Sequence, residues 1–532
     1  MNHFYERNSY ILDHGINKTF EEILWMSEDK FREWVIEMRR VITYAWNELG
    51  MPPRVGYNEE DIIHQFNKLD SFPVHTFEQR DDLTGKTDCI RNTSVIGNAA
   101  NQWFPTQMKT RINYKNSTDG LSIYDHFAND DLLEKVLTYS RRHFKRDSFY
   151  AYSLPVKAED PKDFLFHCET GKEWIEEFEK KERQYGRSDY WLSPKDIDKE
   201  YTGYTERIKS QTFLTVSKNE VEALNIPEKC KTNVDYGNHK NFQIRYFKHG
   251  QKIFPIGLKA FRISWCQYAV NFPPLTAKYL YERYTGHLVP GASSQSTDAI
   301  PRVVVYDPSS GWGGRILAAM SVRTDRHIHY VGTDPNTDHI LDREGDRVRT
   351  KYEDLADFYN TKTNRSQGLF PHTNTYHIFQ DGAEVIRDNP EFQKYKGEVD
   401  MVFTSPPYFA KEAYSEDPTQ SYKKFGAYDA WRDGFLRPTL ETCVEWLKSD
   451  RYLLWNIADA KFGKDMLPLE QDSIDILESL GMKHIETLKM TLAQMPGGNR
   501  LDTETGMPKA KNFCKINGMW FKYEPIMVWY KK

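Results

Sequence analysis

Four groups of residues in this chain have types and spacings that could do chemistry. The first is Ser405-Pro406-Pro407-Tyr408, which follows the apolar run Met401-Val402-Phe403. It sets a hydroxyl, a rigid proline carbonyl and an aromatic ring side by side, and Phe409 follows directly. Proline fixes the backbone there and leaves its carbonyl free to accept. The second group is Gly311, Gly313 and Gly314, in a turn opened by Asp307-Pro308 after the run Val303–Tyr306. Glycines let a chain turn sharply and let a ligand approach the backbone closely. The third is Asp334, 27 residues after Asp307, where an acidic side chain can accept protons from ribose hydroxyls. The fourth is Asp381-Gly382. Each acid singly also suits a turn or a helix cap. Three in succession, at the ends of consecutive β-rich runs, point to one shared ligand.

Such residues need a scaffold to bring them together. From about residue 253 onward, short β-rich runs alternate with helical segments: "RVVVYD", "HIHYVGTD", "NTYHIFQD", "VDMVFTS", "RYLLWNIAD" and "EPIMVWYKK". That alternation predicts a mainly parallel α/β sheet. Such a sheet binds ligands beyond the carboxyl ends of its strands, where all four groups fall. The glycine turn lacks the GK[ST] ending of a phosphate-binding loop, which disfavours nucleotide hydrolysis.

The chain before residue 253 reads differently. "FEEILWMSEDKFREWVIEMRRVITYAWNELG" carries apolar residues at helical spacing, with Thr19 and Glu22 in capping-box register and Gly50, Pro52 and Pro53 as a stop. The stretch from about 70 to 119 is rich in Asn, Gly and Thr, and embeds Trp103 and Phe104 ahead of Lys109 and Arg111. It fits a solvated loop with an aromatic anchor, or a loop that touches phosphates and stacks on a base. "NDDLLEKVLTYSRRHFKR" predicts a further helix, and residues 151–252 are charged and without motif. The expected division is a helical region over 1–150 with a possible role in target recognition, an accessory region over 151–252 and a catalytic domain over 253–532.

Composition narrows the class. The 532 residues carry a net charge of −5 and 14% aromatics, with mean hydropathy −0.73 and pI about 6.4. A protein coated in positive charge is excluded, though a local basic groove is not. Six scattered cysteines without a CxxC pair argue against a disulfide framework or a zinc site. No signal-peptide pattern and no apolar run of about 18 residues occurs, so a soluble, cytoplasmic protein without membrane contact is expected.

"DPSSGWGGR" followed by "TSPPY" resembles the S-adenosylmethionine-dependent amino-methyltransferases of DNA, whose catalytic motif is (D/N/S)PP(Y/F). Upstream, "NFPPLTAKYLYERYTG", Asn271 to Gly286, resembles the helix that precedes their glycine turn. The resemblance covers about residues 262–532. It implies a Rossmann-like class I methyltransferase fold, a mostly parallel seven-stranded sheet flanked by helices. It also implies S-adenosyl-L-methionine as cofactor, double-stranded DNA with a flipped base as partner, and no metal. By the same resemblance, Gly311 and Gly313 lie under the methionine moiety, and Asp307 and Pro308 open that turn. Phe272 and Pro273 help form the methionine pocket, Asp334 binds the ribose and Asp381 approaches the adenine. Ser405, Pro406, Pro407 and Tyr408 hold the base, with Phe409 as a second wall or as core. Arg500, Lys109 and Arg111 are candidate substrate contacts. Ser309-Ser310 departs from the family's usual Phe-Ala or Phe-Cys. Ser in the motif leans toward cytosine N4 as target. Adenine N6, an RNA base, a protein glutamine amide and a non-catalytic nucleic-acid-binding role are the alternatives. No Pro-Cys pair exists, which argues against cytosine-5 chemistry.

Overall fold

The computed structural model describes residues 10, 14–19, 22–23, 26–49, 59–91, 98–112, 120–147, 191–192, 203–208, 211–215, 242–243, 269–288, 301–322, 326–345, 347–363, 374–463, 465–492, 508 and 511–532. The chain forms two compact units. One comprises Met1–Leu49, Pro53–Gly56 and His126–Ser264; the other comprises Gly50–Pro52, Tyr57–Asp125 and Trp265–Lys532. No helix of the described residues is long and apolar enough to cross a membrane.

In the first unit, Ser27 caps the helix Glu28–Asn47 by accepting from the Lys30 N–H. Its buried residues Phe31, Trp34, Val35, Met38, Val41, Ile42 and Ala45 recur at helical spacing and form one face. The predicted second helix spans Asp130–Asp147. Arg39 bonds to Asp130, and Trp46 lies 6.2 Å from Phe127 between ring centroids.

The second unit is built on one mixed sheet. In chain order its main elements are α1 (Glu59–Ser71), β1 (Glu78–Gln79), β2 (Cys89–Arg91), α2 (Pro274–Thr285), β3 (Arg302–Asp307), α3 (Gly314–Ser321), β4 (His327–Thr333), α4 (Lys351–Lys362), β5 (Thr375–Phe379), β6 (Val399–Thr404), α5 (Arg437–Trp446), β7 (Leu447–Asn456), α6 (Leu469–Ser479), β8 (Lys483–Thr491), β9 (Phe513–Ile516) and β10 (Met519–Lys531). The strand order is β1-β2-β8-β10-β7-β6-β3-β4-β5, with β9 pairing β10. From β8 to β5 these are seven strands. The pairs β7-β6, β6-β3, β3-β4 and β4-β5 are parallel, and β10 runs antiparallel to both β7 and β8. That is a Rossmann-like, mostly parallel sheet, as expected, enlarged from seven strands to ten.

Residues 57–125 group with this sheet-bearing unit. Part of the reason is edge closure. β2 pairs in parallel with β8, and Cys89 lies opposite Lys489. The Lys489 ammonium bonds Asp81 at 2.6 Å and Asp88 at 3.0 Å. An unpaired strand edge invites pairing, and a three-residue strand far away in sequence satisfies it. No local pattern announces so short a strand. β8 is likewise absent from the sequence reading, because its first half is exposed.

Alternation along the central strands divides the core. Val303 and Val305 of β3 pack with Leu280 of α2, Ile316 of α3 and Leu355 of α4. Val304 and Tyr306 pack on the other face with Leu440 of α5 and Ile476 of α6. All six residues of β6 are buried. Strands covered on both faces lose polar alternation, which is why "RVVVY" and "MVF" read as continuous apolar runs.

Candidate active site

The chain runs from β3 out to β4 and β5 on one side, whereas β6 flanks β3 on the other. Open α/β sheets form a crevice at such a switch point. Its two lips are the turn after β3 and the loop after β6, which carry "DPSSGWGG" and "SPPY".

The glycine turn is left-handed at Gly311 (φ +62°) and Gly313 (φ +75°). Gly313 also starts α3. A Cβ on it would stand 2.5 Å from the Phe104 ring and 3.1 Å from Leu355. Asn271 staples the turn, accepting from the Gly314 N–H at 3.2 Å and donating to the Trp312 carbonyl at 2.6 Å. Its neighbour Phe272 meets Phe403 edge-on, 5.2 Å between centroids, and Pro273 caps α2. The upstream helix therefore does lie against the glycine turn. Asn271 and Phe104 were missed as site residues, although both stand in stretches with a signal of their own, "NFPPL" and "QWFP".

Asp307 was expected to face a ligand, and the structure places it in the interior. It is fully buried. Its carboxylate accepts from the Arg315 Nε at 2.7 Å, the Tyr330 hydroxyl at 2.6 Å, the Thr404 hydroxyl at 2.7 Å and the Ser309 N–H at 3.2 Å. A buried charge must be paired and hydrogen-bonded, and this one ties α3, β4 and β6 to the end of β3. The Thr404 bond holds the two lips of the crevice together. The Pro308 carbonyl accepts from the Thr333 hydroxyl at 2.8 Å. Ser310 accepts from the Tyr330 hydroxyl at 3.2 Å and its N–H donates to the Thr333 carbonyl at 2.9 Å, so the unusual Ser-Ser pair is absorbed into polar contacts with β4.

Asp334 sits one residue past β4 and is buried. It accepts from the Gly311 N–H at 3.2 Å, the Asn336 N–H at 2.8 Å and the Tyr352 hydroxyl at 2.8 Å. Burial pushes its carboxyl up to about 6 against these donors. The same burial holds His339, which bonds Tyr352 and Thr106, well below the usual imidazole range. Asp381 lies two residues past β5, and its carboxylate accepts the Gly382 N–H at 2.8 Å. Beside it, both amide atoms of Gln380 are buried without a hydrogen-bond partner. Gln380 was overlooked, since glutamine at a strand end carries no signal of its own.

At the other lip, Pro406 is buried while Ser405, Pro407 and Tyr408 are half-buried. A backbone hydrogen bond from Ala458 reaches the Tyr408 hydroxyl, and burial holds that phenol well above its usual range. Phe409 is core. It is 2% exposed and packs on Tyr428, Trp431 and Phe462 with centroids 5.5 to 5.9 Å away. Its φ of +53° is an uncommon backbone state for a bulky residue. Burying that ring holds the state in place and fixes the turn that presents Tyr408.

The N-terminal stretch also reaches this lip. Arg111–Ile112 pairs antiparallel with Glu412–Ala413, just past the motif. Arg111 forks onto Asp125 at 3.0 and 3.2 Å, and the Lys109 ammonium lies 4.6 Å over the Tyr124 ring. Both cations expected to meet substrate are thus engaged in internal contacts. Trp103 and Phe104 serve as the anchor, against Phe358 and Tyr352 respectively. Arg500 lies outside the described residues.

Residues 399–532 match the DNA methylase family of N6/N4 amino-methyltransferases. No curated protein matches the chain. Among solved structures, it is similar to a protein described as a class I S-adenosylmethionine-dependent methyltransferase from Listeria monocytogenes. That likeness has 16% identity and a TM-score of 0.26, and covers 48% of this chain and 58% of the other. It is also similar to a protein described as a DNA modification methylase from Thermus thermophilus, at 19% identity and TM-score 0.19, over 28% of this chain and 50% of that one. A structure of the latter with S-adenosyl-L-methionine gives 21% identity, TM-score 0.17, and 28% and 52% coverage. This chain thus spans about half the length of each. At such TM-scores the fold assignment rests on the strand order itself. The family match is confined to residues 399–532, the part of the chain that carries "SPPY" near its start and the last strands of the sheet.

Proposed function

We propose that the protein is a DNA methyltransferase that moves a methyl group from S-adenosyl-L-methionine to an exocyclic amino group of a flipped base, with cytosine N4 as the favoured acceptor. The observation that carries this reading is the switch-point crevice, where "SPPY" and the glycine turn form the two lips, tied by the Thr404–Asp307 bond. The family match over 399–532 supports it.

The residues present fit the cofactor. The left-handed turn at Gly311 and Gly313 is assigned as the cofactor's cradle, and a Cβ at Gly313 would press on the Phe104 ring and Leu355 and displace that turn. The Asp334 carboxylate is assigned to the ribose, and the unpartnered Gln380 amide beside Asp381 offers a donor and an acceptor to the adenine edge. Phe272 and Pro273 are assigned to the methionine end. When bound, the cofactor supplies an electrophilic sulfonium methyl. The amine of cytosine or adenine is a poor nucleophile, because its lone pair is delocalised into the ring. Ser405 and the Pro406 carbonyl accept its two N–H bonds and so favour a tetrahedral nitrogen, while Tyr408 stacks on the extruded ring. This is positioning and electrostatics at a closed crevice. The cytosine and adenine amino groups present the same donor pattern to this pair of acceptors, and serine in the motif favours cytosine.

DNA co-expressed with the protein is expected to gain N4-methylcytosine, read by nucleoside mass spectrometry. N6-methyladenine instead would keep the enzyme and correct the base; no methylated base would sink the reading. Cofactor affinity has its own pH signature. Asp334 must be ionised to accept from ribose hydroxyls, and burial raises its pKa to about 6. Affinity is expected to be flat above that pH and to weaken as pH falls through it, by about tenfold per unit once protonation dominates. Titration calorimetry between about pH 5 and 8 checks this, and an Asp334→Asn variant should lose the dependence.

A further inference from the structure

Near the motif stands one more acid, the half-buried Glu524. It lies on β10, two residues before Ile526, which pairs with Asn456 at the end of β7. Because β10 is antiparallel, its early residues extend past the carboxyl ends of the parallel strands, to the crevice side. There the Ala458 backbone bonds Tyr408, and both Glu524 and Glu412 act electrostatically on the Tyr408 hydroxyl. Glu412 follows the motif and is bonded by the Tyr414 hydroxyl. Tyr414 in turn packs on Trp312 of the glycine turn, 5.4 Å between centroids. Glu524 therefore lies half-buried beside the residues that support Tyr408.

Among the described residues, the Glu524 carboxylate makes no hydrogen bond or ion pair. The neighbouring acids at the crevice are bonded: Asp307 to Arg315, Asp334 to Tyr352, Glu384 to Lys424 and Glu412 to Tyr414. A half-buried carboxylate beside the base-holding tyrosine that no described group bonds is free to take a partner that arrives with substrate.

We propose that Glu524 is the proton acceptor for the amine being methylated. This rests on the methyltransferase reading above. As the nitrogen–carbon bond forms and the carbon–sulfur bond breaks, sulfur keeps the bonding pair and the nitrogen carries one proton too many. That proton, released from its hydrogen bond to Ser405 or to the Pro406 carbonyl, passes to a Glu524 carboxylate oxygen and from there to solvent, which leaves a neutral methylated amine.

The electrostatic setting suits the task. Burial first, and then the neighbouring Glu412 charge, raise the Glu524 carboxyl to about 7, with Lys522 opposing. Lys411 and Tyr414 face Glu412, and Glu470 from α6 acts on Tyr408. A base poised near the working pH transfers protons most effectively.

The test is single-turnover transfer of labelled methyl from S-adenosylmethionine into unmethylated duplex DNA, with the full chain, across about pH 5.5 to 8.5. The wild-type rate is expected to rise through a midpoint near about 7 and level off. Glu524→Gln should lower the plateau about 10²-fold or more and abolish the midpoint, while cofactor affinity stays within about twofold. Glu412→Gln removes a like charge and should shift the midpoint downward. A Glu524→Gln enzyme with the wild-type rate and midpoint overturns the proposal. If that variant fails to bind cofactor and so is misfolded, an unmoved midpoint in Glu412→Gln overturns it instead. A wild-type protein that methylates no DNA would sink the methyltransferase reading itself, a separate outcome.

Discussion

Ser405→Ala is expected to cut single-turnover methyl transfer by about 10²–10³-fold, the usual cost of removing one preorganised hydrogen bond aimed at developing charge. Cofactor affinity should stay within about twofold, because the glycine turn and Asp334 are anchored without Ser405. Asp334 is held by Gly311, Asn336 and Tyr352, and the turn by Asn271. Tyr408→Ala should weaken base engagement by about 1–3 kcal/mol, a typical stacking contribution. Tyr408→Phe should restore the stacking part and lose only the Ala458 bond. The measurement is a pair of curves, transfer rate against DNA concentration and heat of cofactor binding. Wild-type transfer by Ser405→Ala would mean that the loop after β6 does not hold the base. Loss of cofactor binding would mean that the two lips are not independent.

Gly313→Ala should strike the other lip. The added methyl would meet the Phe104 ring at 2.5 Å in a backbone at φ +75°. A left-handed non-glycine residue costs about 1–2 kcal/mol, and overpacking typically adds about 1–3 kcal/mol. A lowered thermal midpoint and at least a tenfold loss of cofactor affinity are expected. Phe104→Leu placed on the Gly313→Ala background should recover part of the stability, since it removes the clash but not the strained φ. Recovery separates a steric effect from general unfolding. If Gly313→Ala bound cofactor at wild-type strength, the glycine turn would not be the cradle.

The two experiments report on parts of the molecule that were legible to different degrees. The strand ends were visible in the sequence because the information is local. An apolar run buried on both faces, a halting Asp or Pro and a glycine turn are written in consecutive residues. "VVVYDPSSGWGG", "YVGTD", "IFQD" and "TSPPY" therefore announced both the mainly parallel sheet and the positions of Gly311, Gly313, Asp334 and Ser405. Tertiary structure decided which of these residues face the crevice. Asp307 looks like its neighbours in sequence, yet Arg315, Tyr330 and Thr404 converge on it and turn it into an interior tie. Phe409 looks like a partner of Tyr408, yet Trp431 and Phe462, distant in the chain, enclose it. The same holds for Phe104 against Gly313, for β2 on the edge of β8, and for Glu524 beside Tyr408. Each joins residues separated by tens to hundreds of positions. Periodicity and turn chemistry reach only a few residues along a chain. The sequence by itself thus determined the motifs and the kind of sheet that carries them. Their neighbours, and so the protonation and strain at the crevice, were set by long-range packing alone.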